Sequence, residues 1–146
     1  MTPGQTSKRW RVAAALVVAG LAPARAADME ADDKTIRGTI SVHPDLAGHV
    51  MPGDRLILKI YHPGATAELD ATYRIVSTFT LPSEFRFGPA IDMNGRTRYH
   101  AYIVEVFTDK DADVLSVAPG EVMARSDGLV PLGTTGLRLV LDTPRQ

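Results

Sequence analysis

His43, His49 and Met51 fall in the stretch HPDLAGHVMPGD, residues 43 to 54, with Asp45 and Asp54 beside them. Imidazole nitrogen and thioether sulfur suit copper, and imidazole alone suits zinc. A metal site needs three or four converging ligands, and a spacing of six between two loop histidines is no recognised ligand signature. The competing reading is a turn-rich link between strands. His43 precedes Pro44 and His62 precedes Pro63, which biases both towards extended backbone at strand ends. Asp109, Asp111 and Asp113 supply the D-x-D opening of a calcium loop. The turn glycine is replaced by Val114 and the bidentate glutamate by Gly120, so a solvated acidic turn competes with calcium. No catalytic motif is assembled: there is no G-x-S-x-G elbow, no H-E-x-x-H and no Gly-rich phosphate loop. The expectation is a non-enzymatic protein with no cofactor. His43, His49 and Met51 are kept as minority metal candidates.

The elements that must position these residues are β-strands. Period-two alternation runs through Thr35–Val42, with Ile36, Gly38, Ile40 and Val42 on one face. Arg55–Tyr61 repeats it with Leu56, Leu58 and Ile60. Thr72–Thr80 is rich in β-branched and aromatic residues, and Leu81-Pro82 ends it. Phe85 and Phe87 alternate in a short strand. Asn94-Gly95 predicts a two-residue hairpin leading into the longest strand, Thr97–Thr108. Both faces of that strand carry apolar groups, which predicts a central, covered position. Glu105 interrupts one apolar stripe, and burial there penalises its charge unless a cation such as Arg74 or Arg138 pairs with it. A face left wet is the other reading. Val114–Val117 and Glu121–Ala124 are candidate short strands, and Leu137–Leu141 closes the domain. The expected fold is all-β: an Ig-like antiparallel β-sandwich of about seven to eight short strands. Tyr61, Tyr73, Tyr99 and Tyr102 line a groove or serve as core-rim residues.

The 146-residue chain has no cysteine, which excludes disulfides, thiolate metal sites and thiol chemistry of its own. Lys8, Arg9 and Arg11, an uncharged run from Val12 to Ala22, and Ala24-Arg25-Ala26 read as a cleavable secretory signal peptide over residues 1–26. Its removal takes four basic residues and no acid, leaving 12 basic against 17 acidic residues and a net charge of −5. That balance argues against a nucleic-acid partner. Residues 27–34 read as a flexible acidic lead-in, and residues 35–146 as a single domain. A periplasmic location is expected, with no stable membrane span after cleavage.

The order of short motifs resembles the C-terminal Ig-like domain of the CycH/CcmI family of cytochrome c biogenesis proteins, in a stand-alone, exported version. The motifs are Gly38-Thr39-Ile40, then Pro44, Leu46 and Ala47, then Pro52-Gly53-Asp54. Leu81-Pro82 ahead of Phe85 and Pro119-Gly120-Glu121 follow, and Gly133, Gly136, Leu137, Leu139, Val140 and Asp142 complete the set. The resemblance implies a periplasmic binding module that captures apocytochrome c or a haem-ligation assembly factor. A looser resemblance, through Arg98-Tyr99-His100-Ala101-Tyr102, is to envelope lipoproteins of the YbaY type, whose lipid-bearing cysteine is missing here. It implies an accessory or structural envelope role. Copper binding through His43, His49 and Met51 is the third reading.

Overall fold

The computed structural model describes residues 34–64 and 71–146. The expected signal peptide and all but the last residue of the lead-in lie outside them. The strands are β1 (Ile36–Val42), β2 (Arg55–Tyr61), β3 (Thr72–Val76), β4 (Ser83–Phe87) and β5 (Ala101–Asp109). They continue with β6 (Val122–Arg125), β7 (Val130–Pro131), β8 (Leu137–Leu141) and β9 (Thr143–Pro144). The link from β1 to β2 contains a 3-10 turn, Pro44–His49.

One sheet has the order β4-β1-β8. The other runs β3-β2-β5-β6-β9, with β7 paired to the start of β5. The protein is an all-β sandwich. It departs from a wholly antiparallel pattern at β1 and β8, which run parallel with Gly38 opposite Leu137 and Val42 opposite Leu141. Ile36 and Ile40 from one sheet meet Leu56, Leu58, Ile60, Tyr102, Val104 and Val106 from the other in a single core. The alternation read from the sequence supplies these positions, because successive side chains leave a strand on opposite faces.

β5 is central and covered on both faces. Phe107 and Ile57 pair across strands on the outer face, yet they are 1% and 0% exposed. The Arg145 guanidinium lies 3.7 Å from the Phe107 ring centroid and roofs it.

Four local expectations change. The third strand ends at Val76, not Thr80: Val76 pairs with Leu56, and β2 extends only one residue, Arg55, past that pair, so Thr78 to Thr80 have no strand to meet. The longest strand begins at Ala101, not Thr97, where pairing with β7 starts. Val114–Val117 forms turns instead of a strand. Asn94-Gly95 is no hairpin: β4 and β5 belong to different sheets, and Gly95 has φ 72° while Asn94 does not have the positive φ a type I′ turn needs. The Asp92 carboxylate instead accepts from the Asn94 and Arg96 amides at 2.9 and 2.8 Å and folds the loop on itself.

Register also orients the domain. The links 43–54, 77–82 and 110–121 sit at one end, and 88–100 and 126–136 at the other. Among the described residues no helix is long and apolar enough to cross a membrane.

Candidate functional site

The two flanks of the sandwich differ. On one, β8 runs directly into β9, which crosses to pair with β6, and the Asp142 amide bonds the Met123 carbonyl at 3.2 Å. The chain itself laces that flank shut. On the other, β3 and β4 are the outer strands of their respective sheets. Arg74 Nη1 reaches across to donate to the Arg86 carbonyl at 2.8 Å, and the Ala90 amide donates to Thr72 Oγ1 at 3.1 Å.

Between these edges an opening of about 260 Å³ reaches the core side chains Ile40, Leu56 and Leu58. Next to it, under the 77–82 link, lies a groove of about 530 Å³. Its walls are Val42, Val50, Met51, Phe79 and Leu81. The 77–82 link turns from one sheet to the other at the cis Leu81–Pro82 bond. That link places Phe79 and Leu81, both half-buried, against the core margin.

Charge fixes the facing wall. Asp54, 8% exposed, accepts from the Met51 amide at 2.9 Å and from Lys110 Nζ at 2.7 Å. The same ammonium donates to the His49 carbonyl at 2.6 Å. One lysine thus clamps the 43–54 link to the 110–121 link and sets where Val50 and Met51 stand. Two further pairs hold the 110–121 link. Arg55 donates to the buried Asp109 carboxylate through both Nε and Nη2. Arg145 Nη1 donates to Glu121 Oε2 at 2.7 Å and to the Ser116 carbonyl at 2.8 Å. Charge-assisted bonds of this kind are the stronger ones, and a buried carboxylate demands them.

The residues singled out for metal chemistry are dispersed. His43 caps the 3-10 turn, its Nδ1 accepting from the Asp45 amide at 3.2 Å. His49 ends the same turn. The two histidines thus stand at opposite ends of the turn, His43 on its extended N-cap and His49 on its last residue. Met51 is 54% exposed on the groove wall. His62 stacks on Tyr99 with centroids 3.9 Å apart, at the other end of the domain.

Among the described residues, one group of three or more imidazoles and carboxylates has ligand atoms in mutual reach: Asp109, Asp111 and Glu121. Asp113 of the D-x-D-x-D run is outside it. Arg55 and Arg145 already face two of its three carboxylates. Asp111 accepts from Ser116 Oγ and the Asp113 amide, and Asp113 accepts from the Leu115 amide. These bonds hold the Asp111 carboxyl below its usual range, the Ser116 hydroxyl foremost and the Asp113 amide next. The acidic run works as consecutive side-chain turns.

Glu105 stands opposite Lys59 and Arg125, its cross-strand neighbours on β2 and β6. The expected partners are corrected: Arg74 lies on the edge strand β3 and bonds β4, and Arg138 belongs to the other sheet. The tyrosines divide into two sets. Tyr61 and Tyr73 lie on the outer face with Lys59 5.0 and 5.6 Å from their ring centroids. Burial, then Glu105, pushes the Tyr61 hydroxyl above its usual range, against Arg125 and Lys59. Tyr99 and Tyr102 form the far-end cluster with His62. Neither set lines the groove. Sequence reasoning misses the groove residues Phe79 and Leu81 because they follow a strand-like run without interruption. No local signal marks them, because the point where that strand loses its partner is set by register against β2 and not by alternation.

No protein-family model matches the chain, and no curated protein does. A solved structure similar to it is that of an alternative pilotin from the type II secretion system of Vibrio cholerae. The identity is 12%, the alignment covers 77% of this chain and 97% of that chain, and the TM-score is 0.47. A likeness at that level carries no argument about what this chain does.

Proposed function

We propose that this chain is a non-catalytic binding module of the periplasm that captures a protein partner in the groove on its open flank. The observation that carries the reading is that groove: apolar walls, the outer strands β3 and β4 beside it, and an adjoining opening that reaches the core side chains Ile40, Leu56 and Leu58. Unpaired edges and apolar pockets are what extended polypeptides use in recognition. Charge names the kind of segment. The end that holds the groove exposes Asp45, Asp111, Asp113 and Asp142, while its cations Arg55, Lys110 and Arg145 are each engaged by a carboxylate. The occupant is therefore an apolar stretch flanked by basic residues.

The resemblance to the CycH type makes apocytochrome c, or a haem-ligation assembly factor, the partner class to test first. The test is fluorescence anisotropy with a labelled, haem-free c-type cytochrome polypeptide, a scrambled version of it, and an unrelated apolar-basic peptide. Capture of the first in preference to the second, weakened about tenfold or more by Phe79→Asp, supports the reading, as expected for a central apolar anchor. Equal capture of the unrelated peptide would remove the cytochrome assignment and keep the groove. Binding of all three that ignores Phe79→Asp, or of none, would remove both.

A further inference from the structure

At the end of the domain opposite the groove, a cavity of about 620 Å³ is lined by Lys34, Arg96, Thr97, His100 and Leu132 among others. Its lining contains no carboxylate. Lys34 Nζ donates to the Gly95 carbonyl, which leaves the ammonium two further donors. Among the described residues nothing accepts from the Arg96 guanidinium, and both Arg96 and His100 are exposed. This is the reverse of the groove end, where three cations are matched to three carboxylates. The nearby Asp92 carboxylate is turned into its own loop, where Oδ1 accepts from the Asn94 and Arg96 amides, and it lies outside the cavity lining.

The same loop presents apolar side chains outward. Met93 is fully exposed at 104%, Ile91 is 54% exposed, and Leu129 on the neighbouring link is 49% exposed. A free soluble anion would use the cations and leave these apolar groups idle. A lipid surface uses both, because headgroup phosphates meet the cations while apolar tips enter the acyl boundary.

We propose that this end docks on the surface of an anionic phospholipid bilayer. Lys34, Arg96 and His100 receive headgroup phosphates, and Met93 and Ile91 insert beside them. The proposal stands apart from the groove reading, and it leaves the groove facing away from the bilayer.

Vesicle co-sedimentation of the purified chain tests it, with phosphatidylglycerol vesicles, phosphatidylcholine vesicles and inorganic phosphate as competitor. The expected result is binding to phosphatidylglycerol alone, released by salt. Arg96→Glu and Met93→Asp should each weaken it about tenfold, with unchanged thermal midpoints because both side chains are exposed. If Arg96→Glu disturbs its turn, Arg96→Gln carries the same comparison with a smaller loss. Equal binding to both vesicles, no binding to either, or binding indifferent to these variants overturns the proposal. So does displacement by inorganic phosphate where chloride at the same ionic strength does not displace, which would make the cavity a site for a soluble oxyanion.

Discussion

The closed flank and the open flank are built from the same alternating strands, and they differ in what the chain does after a strand ends. On the closed flank β8 continues into β9 and changes sheet, so pairing carries across the corner. Arg145, next after β9, then reaches both the Glu121 carboxylate and the Phe107 ring. On the open flank β3 stops at Val76, one residue short of the Arg55 end of β2. The 77–82 link that follows turns to the other sheet without pairing, leaving Phe79 and Leu81 at the core margin. A corner that changes sheet consumes its edge. A corner that merely turns leaves two edges with an opening between them and a groove beside it.

The largest expected effect lies on the closed flank. Glu121→Ala leaves Arg145 without its carboxylate and the Lys110 amide without its acceptor. Breaking a buried pair from one side costs about 3–5 kcal/mol. Urea unfolding should show that loss. A loss below about 1 kcal/mol, within the range of exposed pairs, would mean the closed flank is not held by this network.

Glycines sharpen the contrast next. A Cβ at Gly38 would sit 2.1 Å from the Leu137 carbonyl oxygen, in the parallel β1–β8 pair that leads to the closed corner. Gly38→Ala forces that pair apart and should cost about 1–3 kcal/mol, as overpacking does. At Gly48, in the 3-10 turn beside the groove, a Cβ would meet nothing within 4 Å. Gly48→Ala should be neutral or raise stability by up to about 1 kcal/mol, through the unfolded chain. Equal losses at the two sites would contradict the packing difference.

Much of this domain is legible in the sequence, because alternation is a local property. Leu56, Leu58 and Ile60 announce β2 and its inward face, and Leu137–Leu141 announces β8 with matching bounds. What alternation does not carry is pairing. Ser77 to Thr80 would extend a strand if β2 began earlier, and only the register against Arg55 shows that they do not. Ser77 stands exposed just beyond the last pair. The parallel course of β8 beside β1 is likewise set by a partner at the other end of the domain's sequence, Gly38. The candidate site is less legible still. Histidines and aspartates draw attention as ligands, yet here His43 caps a turn and Asp54 takes a lysine. The groove consists of ordinary apolar residues whose meaning lies in what they fail to cover.

A smaller effect is expected on the open flank. Phe79→Ala removes a half-buried ring that faces solvent on one side, so about 1–2 kcal/mol should be lost, below the roughly 3–5 typical of a fully buried aromatic. Partner capture should fall proportionally further than stability. A loss in the full-burial range would show that Phe79 belongs to the core and that the groove is no open site.

The smallest effect separates charge that holds the fold from charge that only shapes a turn. Asp111 is exposed, and its carboxyl is held below the ordinary value of 3.8 chiefly by the Ser116 hydroxyl and the Asp113 amide. A depressed folded value means that the folded state binds the proton less readily than the unfolded one. The contribution is therefore complete above the unfolded value and is lost as pH falls through the folded one, on the acid side of 3.8. Ser116→Ala should raise the Asp111 titration midpoint, read by NMR of its carboxyl carbon, with little change in unfolding at neutral pH. Millimolar calcium or EDTA should leave the thermal midpoint of the parent chain where it is, because Arg55 and Arg145 already answer Asp109 and Glu121. A calcium-dependent rise that Asp111→Asn abolishes would instead make the acidic turn a cation site, and the Arg55–Asp109 and Arg145–Glu121 pairs would then have to yield to admit the ion.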